Sequence, residues 1–176
     1  IRIKDGYIIA EAKNGLKGNI IKFPSISVGA TENALLAAAK AEGTTVLKNC
    51  AIEPEVKDLI KFLKKLGLII NLKGRNIIIK HRKIKNLQII HRVIFDRIEL
   101  GTYLIASALQ VKNNITIDKI DPKIIKSEIN ILKKIGVKIK QKKTSIIIKK
   151  NKKLKNINIS TKPYPGFPTD LQAQLM

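Results

Sequence analysis

A carboxylate at the end of a proline-rich run is the first candidate for chemistry. Residues 162–174 read KPYPGFPTDLQAQ. Three prolines and Gly166 predict a stiff, turning backbone. Thr169 or Asp170 then stands where a helix can begin, because short oxygen-bearing side chains cap free helix N–H groups. A plain N-cap is the simpler interpretation of Asp170, and a base or a hydroxyl-binding group is the functional one.

A second group of candidates precedes the first predicted helix. These residues form a turn between a strand and a helix, and they are Ser25, Ile26, Ser27, Val28 and Gly29. On spacing alone, Ser27 is predicted to be the helix cap. The free N–H groups at a helix start also suit an anion, so the hydroxyls and amides of this turn are candidates for holding a diphosphate.

Two arginines lie before the second small-residue helix. Arg92 and Arg97 stand out in a chain whose basic residues are mostly lysine. Surface salt bridges are their default role, but the guanidinium fork also recognises phosphate or carboxylate through two bonds. His81 and His91 have no partner at metal-ligand or triad spacing, so both are predicted to be surface residues. Cys50 is predicted to be a small buried hydrophobic residue.

An internal repeat of about 69 residues predicts the elements that position these candidates. Residues 64–67 (KKLG) recur as residues 133–136 (KKIG). The units run over residues 17–85 and 86–154, and a third begins at residue 155. Apolar residues at helical spacing, ended by a glycine, mark the second helix of each unit.

Each unit is predicted as βαβαββ, an α/β (α+β) class. The strands are predicted at residues 19–23, 44–48, 68–72 and 76–80, and again at 88–93, 114–118, 137–140 and 145–149. The helices are predicted at residues 32–41 and 54–66, and again at 101–109 and 121–135, with Asp121 as a cap. A unit of this kind buries only part of its apolar surface alone, so copies must pack together.

Composition excludes some classes of protein and leaves one alternative open. The hydrophobic fraction of 44% argues against general disorder, and no apolar run is long enough for a membrane span. The net charge of +22 by itself suggests nucleic acid. The lysines are scattered through every element without aromatic platforms, as an AT-rich coding sequence would produce. A basic nucleic-acid-binding repeat protein therefore stays as an alternative of a different class.

The run at residues 162–174 resembles the signature of the UDP-N-acetylglucosamine enolpyruvyl transferases. Residues 27–31 (SVGAT) resemble the nucleotide-sugar segment of that family, and residues 41–45 (AEGTT) are also similar to the family. The resemblance implies an inside-out α/β barrel fold of two lobes, with three repeated units in each lobe and the active site between the lobes. It assigns residues 1–93 to the first lobe and residues 94–176 to the second.

The resemblance also implies an activity. The family transfers the enolpyruvyl (1-carboxyvinyl) group of phosphoenolpyruvate to the 3-hydroxyl of UDP-N-acetylglucosamine, the first committed step of cytoplasmic peptidoglycan synthesis, on which cell shape and division depend. Asp170 would bind that hydroxyl and take its proton. The residues assigned to UDP-sugar binding are Ser25, Ile26, Ser27 and Val28, with Gly29 as a weaker addition. Arg92 and Arg97 would lie near the cleft. The implied partners are these two small molecules, with no metal, cofactor, nucleic acid or membrane.

The sequence departs from the family pattern at Ser25, where many members carry lysine, and at Phe95, where proline is usual. It begins at Ile1 and ends at Met176, and it lacks the family's N-terminal Lys-Asn pair, mobile cysteine loop and late arginine. We therefore expect a central fragment that is inactive alone. The shikimate-pathway enolpyruvyl transferase of the same fold, and a decayed remnant that does not fold, are further alternatives.

Overall fold

The computed structural model describes residues 1–82, 88–109, 113–149 and 154–176. The chain divides into two units, Ile1–Arg92 and Val93–Met176. The predicted boundary between repeat copies, at residues 85 and 86, lies outside the described residues. The assignment of the two parts to two lobes of a larger enzyme stays a prediction. Among the described residues, no helix combines the length and apolar character that crossing a membrane requires.

The first unit contains the predicted βαβαββ order, preceded by a hairpin that the sequence analysis did not predict. Its elements are β1 (Arg2–Lys4), β2 (Tyr7–Ile9), β3 (Ile20–Lys22), α1 (Val28–Lys40), β4 (Thr44–Lys48), α2 (Pro54–Lys65), β5 (Ile69–Lys73) and β6 (Asn76–Lys80). The hairpin β1–β2 turns at Asp5 and Gly6, both with positive φ. The other strands form one sheet in the order β3-β4-β6-β5, in which only β3 and β4 run parallel.

The second unit repeats most of this order. Its elements are α3 (Arg97–Ala108), β7 (Ile115–Asp118), a 3-10 turn (Pro122–Ile125), α4 (Lys126–Ile135), β8 (Ile139–Gln141), β9 (Ser145–Ile148), a second 3-10 turn (Thr169–Leu171) and α5 (Gln172–Leu175). The sheet order β7-β9-β8 matches β4-β6-β5 of the first unit. The prediction of an opening strand at residues 88–93 is wrong, because these residues pair with no strand; Ile90 is 93% exposed and Val93 74%.

The two hydrophobic cores confirm the 69-residue period. Seven pairs of core residues separated by that period are each at most 5% exposed. The pairs are Leu35 and Leu104, Val56 and Ile125, Ile60 and Ile129, Leu63 and Leu132, Leu68 and Val137, Ile77 and Ile146, and Ile79 and Ile148. Each core lies between two helices and one face of a sheet, so the repeated sequence encodes a repeated pattern of burial.

The ends of the second helices also repeat at the level of single hydrogen bonds. Gly67 (φ 97°) and Gly136 (φ 104°) both adopt the left-handed conformation that favours glycine. Each donates its N–H to the carbonyl three residues earlier, at 2.9 and 3.0 Å. Asp121 caps the 3-10 turn before α4 by accepting from the N–H of Lys123 at 3.0 Å. These helix ends and this cap were predicted correctly.

Candidate functional site

The turn before α1 carries the first set of candidate residues. Ser27 is the N-cap of α1, and its Oγ accepts a hydrogen bond from the N–H of Ala30 at 3.2 Å. The helix begins at Val28, four residues earlier than predicted, because the serine cap sets its start. The N–H groups of Val28 and Gly29 belong to the first turn, where the helix itself supplies no acceptor.

Thr31 ties this turn to the interior of the first unit. Its Oγ1 donates to the carbonyl of Ser27 at 2.7 Å and accepts from the N–H of Ala51 at 3.0 Å. Thr31 and Ala51 are both fully buried. The hydroxyl therefore joins the start of α1 to the chain that follows β4, and it makes the turn a rigid part of the fold.

The five predicted residues of this turn divide into anchors and open positions. Ile26 and Val28 are half-buried and pack against the first core. Ser25 and Gly29 are exposed, and a Cβ added at Gly29 would meet no atom within 4 Å. Packing therefore gives no reason for glycine at position 29. The turn exposes amide and hydroxyl groups from a fixed backbone, as a diphosphate site requires.

An acidic group close to this turn was not assigned to the site from sequence. Burial raises the pKa of Glu32 above its ordinary value, and the nearby carboxylates of Glu55 and Glu53 raise that pKa further. Glu32 lies on α1, whereas Glu53 and Glu55 lie at the start of α2. Only the packing of α1 against α2 brings them together. The carboxylates at positions 53 and 55 are visible in sequence as a helix start, but their neighbour on α1 is not.

The equivalent turn in the second unit is built differently. Asp96 caps α3, and its Oδ1 accepts from the N–H groups of Ile98 and Glu99 at 2.7 and 3.0 Å. A carboxylate of the chain therefore already occupies this helix start, which argues against an anion site there. Phe95, which stands where the family usually has proline, packs against the second core.

The two predicted cleft arginines have different environments. Arg92 is exposed. Arg97 is buried, and its Nη1 lies 3.3 Å from Oε1 of Glu128, with side-chain exposures of 7% and 2%. Arg97 is thus paired with a carboxylate of its own unit, and the prediction that Arg92 and Arg97 lie near a cleft stays a prediction. The sequence contains no local signal for this pair, because 31 positions separate the partners.

The burial of His91 differs from its prediction, whereas the burial of Cys50 agrees with its prediction. The prediction that His91 is a surface residue is wrong: its Nε2 lies 3.0 Å from Oδ2 of Asp58, and both side chains are about 90% buried, at 11% and 10% exposure. The ring also packs on Phe62, with centroids 5.4 Å apart. His81 is exposed, as predicted. Cys50 is fully buried, which confirms its prediction, and burial raises the pKa of its thiol.

Asp170 lies exposed in the 3-10 turn Thr169–Leu171, between the buried residues Pro168 and Leu171. The prediction that Thr169 or Asp170 caps the helix is wrong. Pro168 takes the N-cap position of the 3-10 turn and Leu171 that of α5, and no side chain bonds to either start. The Asp170 carboxylate is therefore not used in capping. It is a solvent-facing group on a backbone that two buried neighbours hold.

Leu171 is held by a close fit against α3. It is fully buried, and a Cβ added at Gly101 would lie 2.3 Å from its Cδ1. The glycine thus creates the space that the leucine fills. Across the described ranges, no three His, Cys, Asp or Glu side chains are grouped so that they could hold a metal ion. The turn before α1 belongs to the first unit and Asp170 to the second.

Comparison with known sequences gives consistent names. The family described as EPSP synthase (3-phosphoshikimate 1-carboxyvinyltransferase) matches residues 1–176. The UDP-N-acetylglucosamine 1-carboxyvinyltransferase of Pelagibacter ubique (strain HTCC1062) is 55% identical over an alignment of 176 residues. The alignment covers 99% of this chain and 42% of that protein. The protein of the same name from Endomicrobium trichonymphae is 47% identical over 100% of this chain and 42% of its own length. The chain thus spans about 42% of the length of these relatives.

Solved structures agree with the predicted fold. The enolpyruvyl transferase NikO from Streptomyces tendae superposes with a TM-score of 0.70 at 27% identity, covering 84% of this chain and 35% of that chain. EPSP synthase from Acinetobacter baumannii gives a TM-score of 0.58 at 21% identity, over 83% of this chain and 34% of that chain, a likeness of fold alone. The α/β enolpyruvyl transferase fold is therefore confirmed. The names of the sequence relatives favour neither the shikimate nor the nucleic-acid alternative.

Proposed function

Because this chain belongs to the EPSP synthase (3-phosphoshikimate 1-carboxyvinyltransferase) family, we propose that it forms part of an enolpyruvyl transferase acting on UDP-N-acetylglucosamine. The whole enzyme would transfer the 1-carboxyvinyl group of phosphoenolpyruvate to the sugar 3-hydroxyl. The relatives at 55% and 47% identity, both named for this acceptor, support the choice of substrate. The exposed carboxylate of Asp170 in a firmly held turn is the observation that carries the chemistry.

Asp170 is proposed as the group that binds the sugar 3-hydroxyl and removes its proton. A base must lie within about 2.6–3.2 Å of the proton it abstracts, which an exposed carboxylate on a fixed backbone can satisfy. The hydroxyl oxygen then bonds to C2 of phosphoenolpyruvate while C3 gains a proton, giving a tetrahedral intermediate. Loss of phosphate from C2 and of a proton from C3 restores the double bond and yields the enolpyruvyl ether. Neither step requires a redox change.

Residues of the turn before α1 are proposed to hold the UDP-sugar. Ser25, Ser27 and Gly29 would offer hydroxyl and amide donors, and Ile26 and Val28 keep the turn in place by packing on the core. The helix start adds its partial positive charge to the same donors. Arg92, exposed at the end of the first unit, is a further candidate for contact with a substrate anion. Arg97 is not used as a ligand in this proposal.

The product is a precursor of peptidoglycan, which sets the cellular context of the proposal. The reaction would take place in the cytoplasm with two small-molecule substrates, and it would support cell wall synthesis, cell shape and division. The 176-residue chain corresponds to 42% of its relatives' length. We expect it to release no phosphate from phosphoenolpyruvate on its own, and phosphate release by the isolated chain would contradict that expectation.

Binding to the chain itself tests the proposal. UDP-N-acetylglucosamine, UDP and shikimate 3-phosphate are titrated into the isotope-labelled chain, and amide resonances are followed by NMR. We expect UDP-N-acetylglucosamine to shift the amides of residues 25–29 and of Asp170, UDP to shift only the first group, and shikimate 3-phosphate to shift neither. No shift with either uridine nucleotide would overturn the proposal.

A substitution separates the role of Asp170 from general binding. Asp170→Ala removes the acceptor for the 3-hydroxyl, and a hydrogen bond to a charged group contributes about 10- to 100-fold in affinity. We expect this loss of affinity for UDP-N-acetylglucosamine. We expect no loss for UDP, because UDP has no N-acetylglucosamine ring and therefore no 3-hydroxyl of that sugar. Asp118→Ala is the matched control, because it removes an exposed carboxylate from the same unit. Equal affinities of the two variants for UDP-N-acetylglucosamine would refute the assignment.

A further inference from the structure

A buried ion pair connects the two long helices of the second unit. Arg97 is the first residue of α3, and Glu128 lies in the first turn of α4. Their side chains are almost completely buried, and their charged atoms are 3.3 Å apart. Desolvating two charges costs about as much as their attraction returns, so a buried pair is weak evidence for stability. Stability alone therefore does not explain why the chain contains this buried pair.

Further contacts connect this ion pair to the proline-rich turn that precedes Asp170. Oγ of Ser127 lies 2.6 Å from Oε2 of Glu128 and 3.1 Å from the carbonyl oxygen of Gly166. A hydroxyl has one proton, so Ser127 donates to one of these acceptors at a time and lies in contact with both. The guanidinium carbon of Arg97 lies 5.7 Å from the ring centroid of Tyr164, within the range of a cation–π interaction.

The turn itself leaves little freedom at the point of contact. Gly166 donates its N–H to the carbonyl of Pro163 at 2.9 Å, and Lys162 donates its N–H to the carbonyl of Phe167 at 2.9 Å. A Cβ added at Gly166 would lie 2.6 Å from Cβ of Lys162. Phe167 is buried in the second core. The polar network therefore holds one side of the turn, while the apolar residues 167, 168 and 171 hold the segment that carries Asp170.

We propose that Arg97, Glu128 and Ser127 form a positioning network that holds the Tyr164–Gly166 turn and thereby sets the placement of Asp170. This rests on the proposed function only in its last step, the use of Asp170 by substrate. Arg97 is a positioning residue in this account and touches no substrate. The buried charges are retained because polar contacts select one arrangement of the turn, where apolar packing alone would accept several.

Two variants each remove one contact between the network and the turn, Ser127 with Gly166 or Arg97 with Tyr164. Ser127→Ala deletes the contact with Gly166 and leaves the ion pair intact. The double variant Arg97→Met/Glu128→Leu replaces both charges with apolar side chains, a change that is often neutral or stabilising for buried pairs. Ser107→Ala is the matched control: Ser107 is a buried serine of the same unit, and its hydroxyl donates within α3, to the carbonyl of Tyr103 at 2.6 Å.

The first readout is amide hydrogen exchange of Lys162 and Gly166, compared with the urea midpoint of the whole unit. We expect about two- to tenfold faster exchange at these two amides in Ser127→Ala, the factor that one hydrogen bond contributes. The double variant removes the Arg97–Tyr164 contact but keeps the Ser127–Gly166 contact, so it should accelerate these amides by no more than Ser127→Ala does, with a urea midpoint that is unchanged or higher. Ser107→Ala should leave both rates as in the wild type. Wild-type rates in Ser127→Ala and in the double variant would overturn the proposal.

The second readout distinguishes positioning from simple stabilisation. On adding UDP-N-acetylglucosamine, Ser127→Ala should lose the resonance shift at Asp170 and keep the shifts at residues 25–29. If the wild-type chain itself shows no shift at Asp170, the proposed function fails, while the exchange result still decides whether the network holds the turn. If Ser127→Ala exchanges faster but keeps the full shift at Asp170, the network holds the turn without placing the carboxylate, and the inference is wrong.

Discussion

The hydroxyl of Thr31 provides a direct test of how the turn before α1 is held. Thr31→Val keeps the size and branching of the side chain but removes the hydroxyl. The buried N–H of Ala51 then loses its acceptor, which in the native chain is Oγ1 of Thr31 at 3.0 Å. The carbonyl of Ser27 keeps a second donor, the backbone N–H of Thr31 at 3.1 Å. The loss therefore falls mainly on one buried donor.

A buried N–H group without a partner costs about 1–3 kcal/mol, and we expect Thr31→Val to lower the free energy of unfolding of the first unit by that amount. For a domain of 60–100 residues, each kcal/mol corresponds to about 4–8 °C in Tm. Urea unfolding followed by circular dichroism measures the loss. Hydrogen exchange of the Ala51 amide locates it, because that amide should exchange faster in proportion to the lost bond.

Thr31→Ser is the control, since it keeps the hydroxyl and removes one methyl group at a cost of about 0.8 kcal/mol. Its Ala51 amide should stay protected. The reasoning is refuted if Thr31→Val unfolds at the wild-type urea concentration, or if the Ala51 amide exchanges equally fast in the Val and Ser variants. Either result would mean that the hydroxyl does not join the turn to the interior.

Two further predictions concern glycine packing and pH. Gly101→Ala should be less stable than Gly29→Ala by about 1–3 kcal/mol. The added Cβ at position 101 would lie 2.3 Å from the buried Leu171, whereas a Cβ at position 29 would meet no atom within 4 Å. Equal urea midpoints for the two variants would contradict this prediction. Burial, and then the nearby carboxylates of Glu55 and Glu53, raise the pKa of Glu32 above its ordinary value of 4.5. The carboxyl group of Glu32 therefore binds its proton more tightly in the folded state than in the unfolded state. Glu32→Gln should therefore be more stable than the wild type at pH 7, with the difference shrinking as the pH falls through the raised pKa towards 4.5; urea midpoints that favour the wild type at pH 7 would refute it.

Local patterns in the sequence predicted most of the fold. The apolar stripe of α2 and its copy in α4, each ended by a glycine, placed both helices and both cores. They could do so because helical spacing records which face is buried and a left-handed turn favours glycine. The serine before α1 and the aspartate before the 3-10 turn were predicted as caps for a similarly local reason, since a cap bonds to residues two or three positions ahead.

The failures share a different cause. Residues 88–93 have the composition of a strand, but a strand also needs a partner, and composition does not supply one. Pro168 caps the last 3-10 turn and Leu171 caps α5, so neither Thr169 nor Asp170 is a cap. His91 meets Asp58 from 33 positions away, and Arg97 meets Glu128 from 31. No local pattern marks these two pairs.

The sequence by itself determined the repeat, most of the order of helices and strands, and the residues that face each core, because those properties depend on spacing along a few turns of chain. Only the tertiary structure decided which charged side chains are buried. It pairs Arg97 with Glu128 inside the second unit and leaves Asp170 exposed. The physical reason is that the cost of burying a charge depends on the partner that packing brings to it.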